Sequence, residues 1–516
     1  MSRAAGVLDG HVAAWFGGAI PGAVIAGVAH PGAGAPMALA DPVTGGPLAE
    51  YRLAGVALAR EAARPAPEWA ALPAAERGRR LWALGAAIRA EANALAEVEC
   101  ANGGKPIRDA RAEIARVAEM AEYYAGWADK IEGRTISVPS GHLVYLRPEP
   151  FGLVLAITPW NAPLFTAGWN AFPALAAGNA VVLKPSEYTP VTSLHLAQLA
   201  HAAGLPLHVV AGGAEEAEAL IAADAVQKLC FVGGPATGAR VAALCAARTL
   251  PHVLELGGKS ANIVFADADF AAAVQGAQQA IFAGAGQSCV AGSRLLLEDS
   301  IADRFVAALS EAMGRIRMGD PLDEATELGP IAHARQCAHV RGMVAGAASE
   351  GARVTAATAP DAGCFVAPTI LDGLAEDATA VREEIFGPVV VVQRFGDEAH
   401  ALQLANATRF GLAGAVWTRD GARGHRVAAG LRAGTVWVNG YRTIHVSVPF
   451  GGFGASGHGR SSGQEALTEY VQMKAVWVET RPEPMLSRLR HLDQRIEGVI
   501  PSWHRFGRGP WRGSHR

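Results

Sequence analysis

The sequence predicts an α/β protein made of two doubly wound α/β domains. Short apolar runs without polar alternation recur at Phe151–Thr158, Ala180–Leu183, Leu207–Val210, Leu229–Val232 and Val253–Leu256. Such runs suit strands buried on both faces. The stretches between them are rich in Ala and Leu or bounded by Gly and Pro, which fits helical crossovers between parallel strands. A second series follows from Lys259 to Gly454, with strand-like pieces at Ala261–Phe265, Arg294–Leu297, Val389–Phe395, Gly414–Thr418 and Thr435–Asn439.

The first forty residues are unusual. Gly10–Ala40 contains no Asp, Glu, Lys or Arg, and Ala38-Leu39-Ala40 looks like a leader-cleavage site. Nine Gly and Pro residues between Gly17 and Pro36 would break an apolar helix, and Arg3 alone is a thin positive region. The expectation is therefore a short hairpin or extended arm, not a secretion signal or a membrane span.

Pro73–Cys100 and Ile107–Lys130 carry apolar residues at helical spacing. Leu81, Leu84, Ile88, Leu95 and Val98 form one face of the first. At the other end, residues 481–516 hold eight Arg against three acids, and Met485, Leu489, Leu492, Ile496 and Val499 trace an amphipathic helix. Packing on the same subunit or a neighbour suits it better than a membrane surface.

With 516 residues, 50% hydrophobic and 18% charged, the chain has ample material for packed cores. A net charge of −3 excludes a nucleic-acid binder that relies on basic excess. The six cysteines include no CxxC, which indicates reduced thiols in a cytoplasmic setting. No cluster of metal-ligand spacing is present, and no metal is expected.

Three segments carry chemistry. Cys289 ends Gly284-Ala-Gly-Gln-Ser-Cys289, where small residues let the backbone bend and leave the thiol accessible. A lone cysteine in an apolar chain is ordinarily buried and inert, so its context decides. Glu255 stands at a strand end before Gly257-Gly258, where partial desolvation raises a carboxylate toward a useful general base. Taken alone it could equally be a capping or salt-bridged residue. Asn161 follows Thr158-Pro-Trp after a strand, and an amide fixed there can donate to a developing oxyanion. An ordinary Asn turn would look the same.

Together these segments resemble the aldehyde dehydrogenase superfamily. ELGGKS at 255–260 and GQSC at 286–289 match its two active-site signatures, with Glu255 and Cys289 34 residues apart. PWN at 159–161, LKPSE at 183–187, FVGGPATG at 231–238, EEIFGPV at 383–389 and PFGG at 449–452 fall in the family's order. The resemblance extends from about Trp15 to Trp477.

It implies that Cys289 attacks an aldehyde, Asn161 holds the oxyanion, hydride passes to NAD, with NADP as the alternative, and Glu255 activates water. The presence of Glu255 implies hydrolysis of the acyl enzyme and not transfer to coenzyme A. The cofactor would be held by Ile157, Thr158, Trp160, Lys184, Ser186, Glu187, Gly233, Gly234, Gly238, Leu256, Gly257, Glu384 and Phe386. Lys184 and Glu187 would take the adenine-side ribose, Glu384 the nicotinamide-side ribose, and Phe386 the nicotinamide face. A carboxylate at Glu187 repels a 2′-phosphate and favours NAD. Two departures stand out. Gly234 replaces a Ser or Thr common in the family, and Gly454 a frequent Lys.

The implied domains are residues 1–130 and 150–257 for the cofactor, 258–454 for catalysis, 131–149 and 468–480 as an oligomerisation arm, and 481–516 as an Arg-rich extension. Val471–Val478 is the expected pairing strand of a homodimer or homotetramer, since an unpaired apolar strand there would be an aggregation hazard.

The substrate tunnel is expected to include Trp169, the neighbours of Cys289 and the segment Tyr441–Pro449. Small Ala162 and Thr166 leave room for a medium-sized or aromatic apolar aldehyde. An amino-aldehyde or semialdehyde is the alternative. A non-enzymatic scaffold has no need of Cys289, Glu255 and Asn161 together, and a thiol esterase would use Cys289 without hydride transfer.

Overall fold

A computed structural model describes residues 2–480. The amphipathic helix expected at 485–499 lies outside the described residues. Chain contacts divide the described residues into two units, 2–131 with 150–472, and 132–149 with 473–480.

The larger unit contains two mainly parallel sheets. In the first, the order is Val28–His30, Ala23–Ile25, Leu207–Val210, Ala180–Lys184, Leu153–Ile157, Lys228–Val232, His252–Glu255 and Gly457–His458. The five strands from Leu207–Val210 to His252–Glu255 are parallel. Chain order runs outward from Leu153–Ile157 through Ala180–Lys184 to Leu207–Val210, then restarts on its other side with Lys228–Val232. That reversal is a topological switch point, where open α/β sheets leave a crevice beyond the strands' carboxyl ends. Phe231 pairs with Ile157, Ile157 with Lys184 and Val232 with Glu255, so these ends lie level.

The second sheet runs Arg353–Ala356, Thr369–Asp372, Val389–Phe395, Arg294–Glu298, Ala261–Val264, Ala413–Trp417 and Thr435–Val438. Only the pairing of its first two strands is antiparallel. Residues 256–260 carry the chain from one sheet to the other. Strand interiors such as Leu153–Ala156 and Ile263–Val264 are fully buried. This explains the absence of polar alternation in the sequence.

Helix boundaries differ from expectation at two places. The run Pro73–Cys100 is two helices, Ala74–Ala90 and Ala92–Gly103, because Glu91 leaves helical geometry at φ −104°, ψ 14°. Its carboxylate meets His195 Nε2 at 2.7 Å. Leu81, Leu84, Ile88, Leu95 and Val98 are all fully buried, as their spacing implied. Ile107–Ala125 stops short of Lys130.

The amino-terminal segment is only partly the expected hairpin. Arg3–Phe16 is a helix, capped by Ser2 Oγ accepting from Ala5 N–H and ended by Gly17 at φ 77°. Leu8 and Val12 bury one face of it, although Gly6 and Gly10 lower its helix propensity. The hairpin follows at Ala23–Ile25 and Val28–His30 and joins the first sheet.

The smaller unit contains a three-stranded sheet in the order Val471–Val478, Leu143–Pro150, Arg134–Ile136. Val471–Val478 is an edge strand, and Met473, Trp477 and Val478 are exposed along it. Among the described residues, no helix is long and apolar enough to cross a membrane.

Candidate active site

One cavity of about 380 Å³ brings together Cys289, Glu255 and Asn161. Trp160, Gly233, Gly234, Leu256, Gly257, Glu384 and Phe386 line it as well. Ile157, Thr158, Lys184, Ser186, Glu187 and Gly238 do not. They stand at or just beyond the carboxyl ends of the parallel strands, or on the following helix.

Asn161 sits between the strand Leu153–Ile157 and the helix Pro163–Ala176. Its Nδ2 donates to the carbonyl of Gln287 at 2.8 Å. One amide hydrogen thus fixes the side chain to the cysteine loop, and the other is free to donate elsewhere.

The loop that carries Cys289 is tightly folded. Gly284, Ala285 and Gly286 take φ values of 63°, 54° and 67°, three successive left-handed residues. At Gly286 a side chain is impossible, since a Cβ would lie 2.0 Å from the carbonyl oxygen of Gly387. Gln287 Oε1 accepts from Ala332 N–H at 2.9 Å, tying the loop to the second-sheet side. Cys289 is half-buried, whereas the other five cysteines are buried, and all six are free.

Burial, with the carboxylates of Glu384 and Glu255 nearby, pushes the Cys289 thiol up to about 12. Arg442 and the backbone N–H of Val290 oppose this. The resting nucleophile is therefore a thiol.

Glu255 closes the strand His252–Glu255 and is 5% exposed. Ser461 Oγ donates to its Oε1 at 2.6 Å, while Oε2 has no partner among the described residues. Burial pushes its carboxyl up to about 8, with Ser461 and Arg460 pulling the other way. The elevated pKa expected from its strand-end position is present.

The glycines after Glu255 have separate reasons. A Cβ on Gly257 would sit 2.1 Å from Glu384 Oε2, and one on Gly258 2.5 Å from the Cys289 carbonyl oxygen. Gly258 N–H donates to Glu384 Oε1 at 3.0 Å. Burial pushes Glu384 up to about 7.

Phe386 stands edge-on to Trp160, with ring centroids 5.4 Å apart, at a left-handed φ of 54°. Gln336 Nε2 donates to the carbonyls of Ile385 and Phe386, at 3.1 and 3.0 Å, and holds that turn.

At the phosphate-type turn, Gly234 caps the helix Pro235–Ala246 without any side-chain hydrogen bond. The first amides of that helix are thus left for an anion. Gly238 is required for packing, because a Cβ would meet the Leu256 side chain at 2.4 Å. Lys184 is buried, and its Nζ lies 3.8 Å from Glu187 Oε2. Burial lowers its ammonium pKa against the pull of Glu187.

On the opposite side Ala162, Phe165, Thr166, Trp169, Val290, Ile444 and Phe450 line the cavity. Phe165 stacks on Trp169 at 5.1 Å, and Phe450 meets Trp169 edge-on at 5.9 Å. Of the expected Tyr441–Pro449 segment, Arg442 and Ile444 reach the cavity, but Tyr441 does not. Tyr441 is buried against Trp437, with centroids 4.7 Å apart.

Ser461 and Arg442 escaped the sequence reading as individuals. Neither sits in a recognisable motif; only its place in the fold gives it a partner at the site.

The site's thiol, amide and buried carboxylate on an α/β frame are those of a covalent aldehyde-oxidising enzyme. Residues 30–476 match the profile of the aldehyde dehydrogenase family. The chain belongs to that family. It is 43% identical to (Z)-2-((N-methylformamido)methylene)-5-hydroxybutyrolactone dehydrogenase of Acinetobacter baylyi, over 81% of this chain and 87% of that protein. It is 40% identical to 4-trimethylaminobutyraldehyde dehydrogenase of Rattus norvegicus, over 85% of this chain and 92% of that one. Betaine aldehyde dehydrogenase of Staphylococcus aureus, solved in complex with NAD+, superposes with a TM-score of 0.88 at 34% identity, covering 92% of this chain and 97% of that one.

Proposed function

We propose that this enzyme oxidises an aldehyde to the carboxylic acid through a covalent intermediate on Cys289, with NAD as hydride acceptor. The observation that carries the reading is the convergence of Cys289, Asn161 and Glu255 on one cavity.

The residues present fit the dinucleotide. The gap at Gly257 admits the Glu384 carboxylate, which would take the nicotinamide-side ribose, with Phe386 against the ring. The helix start at Gly234 would receive the pyrophosphate, and Lys184 with Glu187 the adenine-side ribose. Ile157, Thr158, Trp160, Ser186, Gly233, Gly238 and Leu256 complete that wall. Glu187 favours NAD over NADP by charge. When bound, the cofactor accepts the hydride.

Cys289 gives its proton to solvent water, and its Sγ, now a thiolate, attacks the carbonyl carbon. The free Asn161 N–H and the backbone N–H of Cys289 stabilise the oxyanion that forms. Loss of hydride leaves a thioester. Glu255, deprotonated and with Oε2 unengaged, then removes a proton from water, which cleaves the thioester to acid and thiol.

For the substrate, small Ala162 and Thr166 beside the aromatic surfaces of Phe165, Trp169 and Phe450 support a medium-sized or aromatic apolar aldehyde. The names of relatives acting on trimethylamino and betaine aldehydes favour an amino-aldehyde as the second reading. Pairing along Val471–Val478 would bury Met473 and Trp477 in a homo-oligomer, and a cytoplasmic setting suits the free cysteines.

The test is the appearance of reduced nicotinamide with an aldehyde panel, using wild type, Cys289→Ser and Asn161→Ala. Abolition by Cys289→Ser and a loss of about 10²–10³-fold in Asn161→Ala are expected. Absence of cofactor reduction with every aldehyde would overturn the reading.

A further inference from the structure

The cavity holds an arginine with no ion-pair partner among the described residues. Arg442 lines it together with Asn161 and Cys289. Among the described residues, its guanidinium makes one hydrogen bond, Nη1 donating to the neutral carbonyl of Ala283 at 2.8 Å, and no ion pair. Glu113 and Asp109 favour its charge from beyond ion-pair distance, but each has another partner: Glu113 takes the Lys105 ammonium, and Asp109 lies 3.6 Å from Arg108. Arg116, exposed on the helix Ile107–Ala125, lines the same cavity and has no ion-pair partner among the described residues. A half-buried guanidinium without an anion is costly unless a ligand supplies one.

The backbone points the same way. Arg442 has φ 61°, a left-handed conformation that a side chain of this kind rarely adopts. Such outliers gather where a side chain must be aimed at a ligand. With Nη1 fixed on the loop that precedes Cys289, the Nε and Nη2 hydrogens remain as a fork, the geometry that matches a carboxylate.

We infer that the substrate carries a carboxylate as well as its aldehyde, on an apolar or aromatic body, and that Arg442 binds that carboxylate. This rests on the aldehyde-oxidising reading above and sharpens its substrate class. It also disfavours a trimethylammonium aldehyde as substrate, because Arg442 would repel a cationic group in the same cavity.

The experiment compares matched aldehydes on the full chain with NAD: 4-formylbenzoate against benzaldehyde, and succinic semialdehyde against pentanal, with 4-trimethylaminobutyraldehyde as the cationic member. The anionic member of at least one pair should exceed its neutral partner in kcat/KM by about tenfold or more, and the cationic aldehyde should be poorest. In Arg442→Met the anionic-to-neutral ratio should fall toward one, while Arg442→Lys keeps part of it. Because a ratio is read, a general loss of activity in the variant does not mimic the result. Neutral aldehydes equal to or better than both anionic ones, or an unchanged ratio in Arg442→Met, overturn the inference and leave aldehyde oxidation standing. No cofactor reduction with any of the five aldehydes overturns both.

Discussion

Ser461 donates a 2.6 Å hydrogen bond to Oε1 of Glu255, joining residues 206 positions apart in the chain. The bond stabilises the charged carboxylate, while burial disfavours it more strongly and sets the group at about 8. Glu255 is therefore mostly protonated at neutral pH in the empty site. Two pH effects follow. A buried acid whose pKa is raised contributes most to folding stability below the ordinary carboxylate range, and that contribution is lost as pH rises toward 8. Activity moves in the opposite sense, because the base must lose its proton. Where hydrolysis of the thioester limits turnover, kcat should climb through a limb near pH 8. Ser461→Ala should move that limb upward by about 0.5–1 pH unit, the equivalent of one hydrogen bond near 1 kcal/mol. A steady-state pH profile of both enzymes measures this, and an unmoved limb in Ser461→Ala would remove Ser461 from the catalytic account.

Cys289 is the half-buried member of a set whose other five thiols are buried. Iodoacetamide should modify one cysteine in the native enzyme, with loss of activity in step. Because the thiol is held up to about 12, the rate should be slow at neutral pH and keep rising well above pH 9. Peptide mass mapping with residual activity checks it. Inactivation tracking another cysteine would displace Cys289.

Glu187 lies at the end of the Lys184 strand, with Tyr51 OH donating to its backbone carbonyl at 2.7 Å. The backbone is thus anchored independently of the carboxylate. Glu187→Gln should leave the fold intact and raise NADP use relative to NAD by about tenfold, the effect of removing one repulsive charge worth ~1.4 kcal/mol. The ratio of kcat/KM for the two cofactors is the measurement. No change in that ratio would place selectivity elsewhere.

What could be read from the sequence follows from the range over which each feature is determined. Strands buried on both faces, such as Leu153–Ile157, announce themselves by unbroken apolar runs. The short edge strand Arg353–Ala356 is mostly exposed and carries no such mark. Glu255 was identifiable because a strand end and two glycines flank it locally. Ser461 was not, because its only claim to function is a partner in a distant strand. Cys289 could be singled out from the small residues before it, but its resting charge could not be read there. Burial first, and then Glu384 and Glu255, 95 and 34 positions away, push that thiol up, and all of these belong to the fold. Arg442 likewise fell inside the expected tunnel segment, yet the neighbour singled out there, Tyr441, faces the core.

Gly257 offers the sharpest test of how the cofactor wall is built. A methyl group there would overlap Glu384 Oε2 at 2.1 Å, and the obstructing atom is the end of a flexible side chain. Gly257→Ala should therefore fold, with the Glu384 carboxylate rotated away and its 3.0 Å bond from Gly258 N–H lost. At Gly258 the obstruction is the Cys289 carbonyl, which cannot rotate aside, so Gly258→Ala should damage the catalytic loop itself. For Gly257→Ala the dissociation constant of NAD should rise about tenfold, since a charge-assisted hydrogen bond is worth ~1.5–3 kcal/mol and water recovers part of it. Glu384→Ala alone should weaken binding to a similar degree. If the methyl acts only by expelling that carboxylate, the double variant should be no worse than either single one, a strongly non-additive cycle. Fluorescence titration of NAD into the four proteins measures it. Simple additivity would mean that Gly257 touches the cofactor directly and not through Glu384.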